Sequence, residues 1–369
     1  MKVLVLTISA GQGHNKTARA IGEYLRSRGV DVEIIDTYKY FNAGLSKLVE
    51  KGYLLSTKFT PNLYGTIYTK EENIVHSDRM NIVNVAGKLV AREFFKFIEN
   101  KKPDAIITTH IFAASLVSRF KRKRNCEAAT FGVVTDFTVH PFWETVNLDY
   151  YVTPSSLLNN QMLKKGIPEQ KILPFGIPID MKFAVDTDKS EARKALGFDE
   201  KRTVFVMTGS MDYEDVINYV EQLDAIEYDF QLVTVCGNNR HLKNKIDCMN
   251  TRKKIYNFGF VDNIDLIMSA SDCIVSKPGG LTVSEAMAKK LPMILIDPIP
   301  GQEDRNYEFL INNGLAIGTS KTFPVDEALY QLMMSRTRLE SMKNMAEEIG
   351  SPDASKLLGD FVINLVNKE

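Results

Sequence analysis

His14 is the first residue of this 369-residue chain whose placement points to chemistry. It belongs to Gly11-Gln12-Gly13-His14-Asn15-Lys16, which follows a strand predicted over Val3–Thr7 and leads into a helix predicted over Asn15–Arg28. An imidazole at a helix N-terminus meets the positive end of the helix dipole. That lowers its pKa and keeps it neutral, the state a general base needs. A histidine that only caps the loop is the alternative. Gly11 and Gly13 are also two glycines of a G-x-G-x-x-G dinucleotide fingerprint, with Asp36 at the end of the next strand as a ribose acid. Lys16, however, replaces the third glycine, which lets helix and sheet pack closely, and the spacing does not fit a P-loop.

A second motif, Ser276-Lys277-Pro278-Gly279-Gly280-Leu281-Thr282-Val283-Ser284-Glu285, joins a predicted strand to a predicted helix. Two glycines there leave backbone N–H groups bare, and the helix N-terminus favours a diphosphate. Glu285 lies one to two turns inside, where a carboxylate can accept from both hydroxyls of a ribose. A tight turn with a solvated Glu is the plainer alternative.

Two further strand-end loops carry polar groups. In Pro298-Ile299-Pro300-Gly301-Gln302-Glu303-Asp304-Arg305-Asn306, the prolines and glycine fix a loop, and Gln302, Glu303 and Asn306 open a helix. Amides and carboxylates held this rigidly suit sugar hydroxyls, although a capped helix start would look the same. Thr135-Asp136-Phe137-Thr138-Val139-His140-Pro141-Phe142-Trp143 places an acid, a histidine and the single tryptophan beyond another strand. These residues either orient a base and stack on an acceptor, or they are a core Trp under a loop. Asp186-Thr187-Asp188 has the form of a metal–diphosphate pair, but it sits in an apparent linker and not at a strand end.

The elements that must position these groups alternate. Strands are predicted over Val3–Thr7, Val32–Ile35, Asp104–Thr109 and Ala129–Val134, with helices between: the βαβ rhythm of a parallel sheet. Tyr40–Asn100 is a long, mostly helical insertion. Pro174–Pro178 and the polar Asp186–Glu191 read as a linker. The rhythm restarts with strands over Thr203–Met207, Gln231–Val235, Lys254–Phe258, Cys273–Ser276 and Met293–Ile296. This divides the chain into domains 1–180 and 181–352, with a last helix over Ser355–Val366, within about 353–369, returning to the first. Ligands of open α/β sheets bind at the carboxyl ends of the strands, so both halves are expected to supply strand-end loops to one cleft.

Composition is that of a globular protein, 44% hydrophobic and 25% charged, and no apolar run is long enough to cross a bilayer. Met1–Ile8 runs straight into a glycine loop and reads as a strand, not a signal peptide. Cys126, Cys236, Cys248 and Cys273 form no C-x-x-C pair; buried thiols in a reducing cytoplasm are expected. Net charge is zero, yet residues 1–180 hold 24 basic and 17 acidic residues, a balance of +7, and the remainder −7. A basic half points to an anionic partner. Its densest cluster is Arg119, Lys121, Arg122, Lys123 and Arg124, which also reads as a solvated helix end.

Together the four motifs resemble the monogalactosyldiacylglycerol synthase and processive diacylglycerol β-glucosyltransferase group of family 28 glycosyltransferases. That group is related to the peptidoglycan enzyme that adds N-acetylglucosamine to lipid I. The resemblance runs nearly full length. Its most specific parts are Lys277-Pro278-Gly279-Gly280 with Glu285, then Pro300-Gly301-Gln302-Glu303 with Asn306. Gly11-x-Gly13-His14 and Asp136 with His140 and Trp143 match the N-terminal signatures. It implies an α/β GT-B fold, two Rossmann-like doubly wound domains facing a cleft. It also implies inverting transfer of glucose or galactose from a UDP-hexose to diacylglycerol or a glycosyldiacylglycerol.

The same resemblance makes His14 the base, with Asp136 beside it. It assigns the donor to Gly13, Gly209, Phe260 and Val261 (along the uracil), Lys277, Gly279, Gly280, Leu281, Thr282 and Glu285, with Gln302, Glu303 and Asn306 toward the hexose. It links His140 and Trp143 to acceptor or lipid, and the insertion at Tyr40–Asn100 to an anionic membrane surface. No cofactor, metal or nucleic-acid partner is expected, the site of action is the inner face of the cell membrane, and oligomeric state is left open. Thr208-Gly209-Ser210-Met211 departs from the pattern, with one glycine where relatives have several. UDP-N-acetylglucosamine 2-epimerases share such an architecture, and a UDP-sugar sensor that only binds is the non-enzymatic alternative.

Overall fold

A computed structural model of the chain describes residues 1–9, 13–41, 90–209, 211 and 213–368. Most of the insertion predicted at Tyr40–Asn100, the glycine-turn residues Gly11 and Gln12, and Ser210 of the single-glycine loop lie outside the described residues. The chain forms two compact units. Unit 1 comprises Met1–Met181, Ile299–Asn306 and Ser351–Glu369; unit 2 comprises Lys182–Pro298 and Tyr307–Gly350.

Unit 1 is built on six parallel strands: β1 (Lys2–Thr7), β2 (Asp31–Asp36), β3 (Ala105–Thr108), β4 (Ala129–Val133), β5 (Tyr150–Val152) and β6 (Ile172–Leu173), in the order β2-β1-β3-β4-β5-β6. The inner strands β1 and β3 are buried almost throughout because both faces are covered, whereas the edge strand β2 carries Asp31, Glu33 and Asp36. The helix Gly13–Ser27 buries Thr17, Ala18, Ile21, Gly22 and Leu25, a stripe at three- and four-residue spacing. The helix Ala354–Val366 adds Leu358 and Val362 to the core formed by Val3, Val5, Ile107 and Phe131. It lies close on the first helix: a Cβ at Gly359 would come within 2.3 Å of the Tyr24 ring. Tyr24 donates its hydroxyl to Asp360 at 2.7 Å, and Ser355 Oγ donates to Ile179 O at 2.6 Å.

Unit 2 holds β7 (Thr203–Met207), β8 (Gln231–Val235), β9 (Ile255–Phe258), β10 (Cys273–Ser276), β11 (Met293–Leu295) and β12 (Ala316–Gly318). All are parallel, in the order β12-β11-β10-β7-β8-β9. Val204, Val206, Leu232, Val275 and Ile294 pack under Val220, Leu223, Leu329 and Leu332. β5, β6 and β12 were not expected; at two or three residues each they are too short to show a period.

Two expectations need correction, on the cysteines and on Trp143. Of the four cysteines, Cys236 and Cys273 are buried, but Cys126 is half-buried and Cys248 exposed. Asp188, whose place in the linker already tells against a metal pair, caps the helix Lys189–Leu196 with its carboxylate, accepting from Ser190 N at 2.9 Å and Glu191 N at 3.1 Å. Trp143 is a core residue, 4% exposed, lying on Gly132 so closely that a Cβ there would be 2.6 Å from its ring. It therefore presents no free face to a lipid.

Candidate functional site

In an open parallel sheet, the loops that open a crevice follow the two strands at which the chain order reverses. In unit 1 those strands are β1 and β3. β1 leads to His14 and β3 to Thr109-His110, so two histidines enter from opposite sides of the reversal. The loop after β4 brings Thr135 and Asp136.

His14 Nδ1 lies 2.7 Å from Thr109 O and 3.2 Å from Thr135 Oγ1. A carbonyl oxygen only accepts, so Nδ1 carries the proton and donates to it. The neutral ring therefore keeps its lone pair on Nε2, the tautomer of a base. Burial pushes the His14 pKa down, while the charge of Asp136 and the Thr109 carbonyl push it up; the net shift is downward. Burial raises the Asp136 carboxyl, opposed by His14, Asn306 and Gln302. The first cause of the downward shift at His14 is burial.

Asp136 is held in place from the other side. Gln302 Nε2 donates to its Oδ2, and Asn306 Nδ2 donates to its Oδ1 at 3.1 Å. Asn306 Oδ1 accepts from Phe137 N at 2.7 Å. Both amides sit in the first turns of the helix Gln302–Asn312. Glu303 Oε2 accepts from Ile299 N at 2.8 Å, and Asp304 Oδ2 from Gly301 N at 2.9 Å, so the helix start secures its own loop. Gln302 and Asn306, expected on the hexose, thus hydrogen-bond Asp136 in unit 1.

In unit 2 the order reverses between β7 and β10. β7 leads to Thr208 and Gly209, β10 to Lys277-Pro278-Gly279. Gly209 has φ +47°, a conformation most side chains avoid, and Thr208 Oγ1 donates to Val235 O at 2.8 Å. Gly279 is the N-cap of the helix Gly280–Ala288 and supplies no side chain to its first turn. No side chain therefore caps the leading N–H groups. Lys277, Leu281 and Thr282 are half-buried around this turn, and Glu285 is only 5% exposed. Phe260, just past β9, is 74% exposed, a flat apolar face suited to stacking, and Val261 beside it is half-buried.

The remaining expected residues lie in unit 1. Gly13 is the first residue of the helix that carries His14. His140 caps the short helix Pro141–Thr145, its Nδ1 accepting from Phe142 N at 3.1 Å. Of the basic cluster, Lys121 is bound to Asp149 at 2.6 Å and Arg124 to Glu99 at 2.8 Å; Arg122 and Lys123 are exposed and Arg119 half-buried. Among the described residues no group of three or more His, Cys, Asp and Glu side chains is arranged to hold a metal ion, and no helix is long and apolar enough to cross a membrane. Thr109 and His110 have no sequence signal beyond their places at a strand end, and Thr135, though it opens the Asp136 motif, is given no role there.

Both clusters fall within segments of known type. Residues 14–179 match the family model for monogalactosyldiacylglycerol (MGDG) synthase, and residues 203–358 match the glycosyltransferase family 28 C-terminal domain. A processive diacylglycerol β-glucosyltransferase of Bacillus pumilus is 28% identical over 366 residues, covering 98% of this chain and 94% of the relative. The chain belongs to this diacylglycerol glycosyltransferase family. Its fold is GT-B. The crystal structure of MurG from Acinetobacter baumannii superposes with a TM-score of 0.67 at 15% identity, covering 99% of this chain and 100% of that one. A UDP-GlcNAc 2-epimerase from Neisseria meningitidis bound to UDP-GlcNAc gives 0.61, also at 15% identity, covering 99% and 100%. The family's two sequence segments thus carry the two clusters: His14, His110 and Asp136 in the first, Gly279 to Glu285 in the second.

Proposed function

We propose that this family member moves a hexosyl group, glucose or galactose, from a UDP-hexose to diacylglycerol or a glycosyldiacylglycerol, inverting the anomeric centre. The observation that carries the reading is the bond from His14 Nδ1–H to Thr109 O, which leaves Nε2 as a neutral base with Asp136 bearing on it. His14 Nε2 takes the proton of the acceptor hydroxyl as its oxygen attacks the anomeric carbon. The bond from that carbon to the diphosphate breaks, and UDP leaves with the electron pair. Asp136 steadies the imidazolium. In unit 2 the bare N–H groups at Gly280 and Leu281 offset charge on the departing diphosphate, and Glu285 holds the ribose. No metal takes part. The names of the B. pumilus relative and of the UDP-GlcNAc-bound epimerase support the lipid acceptor and the nucleotide donor respectively.

The protein works peripherally on the inner face of the cell membrane, where the basic balance of its N-terminal half meets anionic headgroups. The test is one incubation of purified protein, labelled UDP-glucose or UDP-galactose, and diacylglycerol vesicles. Glycolipid is the expected product. Epimerised nucleotide sugar or unchanged donor would refute transfer.

A further inference from the structure

His110 belongs to no motif in the sequence, yet it is a firmly held side chain beside His14. It is 9% exposed and caps the helix Ile111–Lys123, its Nδ1 accepting from Phe112 N at 3.1 Å. That bond fixes its tautomer as Nε2–H. Its ring meets the His14 ring edge to face, with centroids 4.6 Å apart and planes at 73°. It also packs against the Phe112 ring, with centroids 5.1 Å apart. The residue just before it, Thr109, takes the His14 Nδ1 proton on its carbonyl and donates its hydroxyl to His14 O at 3.2 Å. The pair Thr109-His110 therefore grips His14 at three points, two polar and one apolar.

Resting on the reading of His14 as the base, we propose that His110 is a positioning residue: locked in one tautomer by its helix, it walls the His14 ring, excludes water from it and fixes the direction of the Nε2 lone pair. A helix cap needs only a short side-chain acceptor, and Asn or Ser serves as well as His or better. A histidine in this position is explained by the ring, which an ordinary cap does not use. Burial and the neighbouring His14 and His140 drive the His110 pKa well down, so it stays neutral while His14 titrates. The titratable groups bearing on His14 itself are Asp136, from the loop after β4, and His110, from the loop after β3.

The test uses the full chain with His110→Asn, which keeps the cap and removes the ring; His110→Ser replaces it if the Asn variant does not fold. Two readouts are taken: kinetics with UDP-hexose and diacylglycerol vesicles, and nitrogen-15 NMR titration of the histidine rings, which needs no turnover. Expected are a fall in kcat of about ten- to a hundredfold with little change in KM for the donor, and His14 titrating at higher pH. The sign follows because burial lowers the His14 value and the lost wall admits water. The acid limb of the pH–rate profile moves up with it. An unmoved His14 titration in His110→Asn overturns the proposal, whether or not kcat falls. If the wild-type chain transfers nothing, the functional reading fails, and the NMR comparison still decides the role of His110.

Discussion

Asn306 closes a two-point clamp on the Asp136–Phe137 turn, its Nδ2 donating to Asp136 Oδ1 at 3.1 Å and its Oδ1 accepting from Phe137 N at 2.7 Å. Asn306 is fully buried, so both bonds are made out of water. Asn306→Ala leaves a buried N–H and a carboxylate oxygen short of a partner. A loss of about 1–3 kcal/mol of stability is expected, read by denaturant unfolding, with a lower kcat because Asp136 is no longer held. An unfolding midpoint equal to the wild type would show that the clamp contributes nothing.

His14→Ala removes proton transfer and should reduce turnover by about a hundredfold or more while UDP binding stays near normal. Asp136→Asn acts through the same proton. The carboxylate raises the His14 pKa, against burial, which lowers it. Without that charge His14 is harder to protonate, so the acid limb of the pH–rate profile should move to lower pH. The plateau should fall, because the imidazolium formed during transfer loses its counter-charge. A limb that moves to higher pH would contradict this electrostatic assignment.

Glu285→Ala should weaken UDP binding by about 1.5–3 kcal/mol in calorimetry, the scale of hydrogen bonds to a charged group. Because Glu285 is buried, the variant's melting curve must be recorded beside the isotherm. Normal UDP affinity in a folded variant would place the ribose elsewhere.

Asp188→Ala should cost about 1 kcal/mol through the lost cap of Lys189–Leu196 and leave transfer intact. Added chelator should leave transfer intact as well. Activity lost to chelator and restored by Mg²⁺ would show that a metal does take part.

Binding to phosphatidylglycerol-containing vesicles should exceed binding to neutral ones and weaken with salt. Within the basic cluster the effects should divide. Arg122 and Lys123 are exposed, and changing both to Ser should weaken anionic-vesicle binding by about 1 kcal/mol each. Lys121 is engaged by Asp149 and Thr130, so its loss should appear mainly in stability. Sedimentation with vesicles of both kinds, in low and high salt, reads this directly. Equal binding to both kinds would remove the electrostatic part.

Residues whose place depends on local pattern are readable from sequence. Gly279 and Gly280 follow a four-residue apolar strand, and His14 follows a glycine turn; strand, turn and helix start each leave a mark. What was not readable depends on contacts between distant positions. Nothing near Asp136 announces Gln302 or Asn306, 166 and 170 residues away. His110 follows Thr108 and Thr109 and looks like the tail of a β-branched strand; its contact with a ring 96 positions earlier in the chain leaves no local mark. By sequence Trp143 fits a surface or a core equally well; its close approach to Gly132 makes it core.

The interleaving of the two units governs the order in which the protein can be made. Unit 1 needs the helix Ala354–Val366, and the ribosome delivers that helix only after all of unit 2. Chains fold as they emerge, from the N-terminus onward. The nascent sheet of unit 1 must therefore wait, with the surface around Tyr24 and Leu25 uncovered, while unit 2 is synthesised and folds. That interval is when a chaperone has an apolar surface to bind.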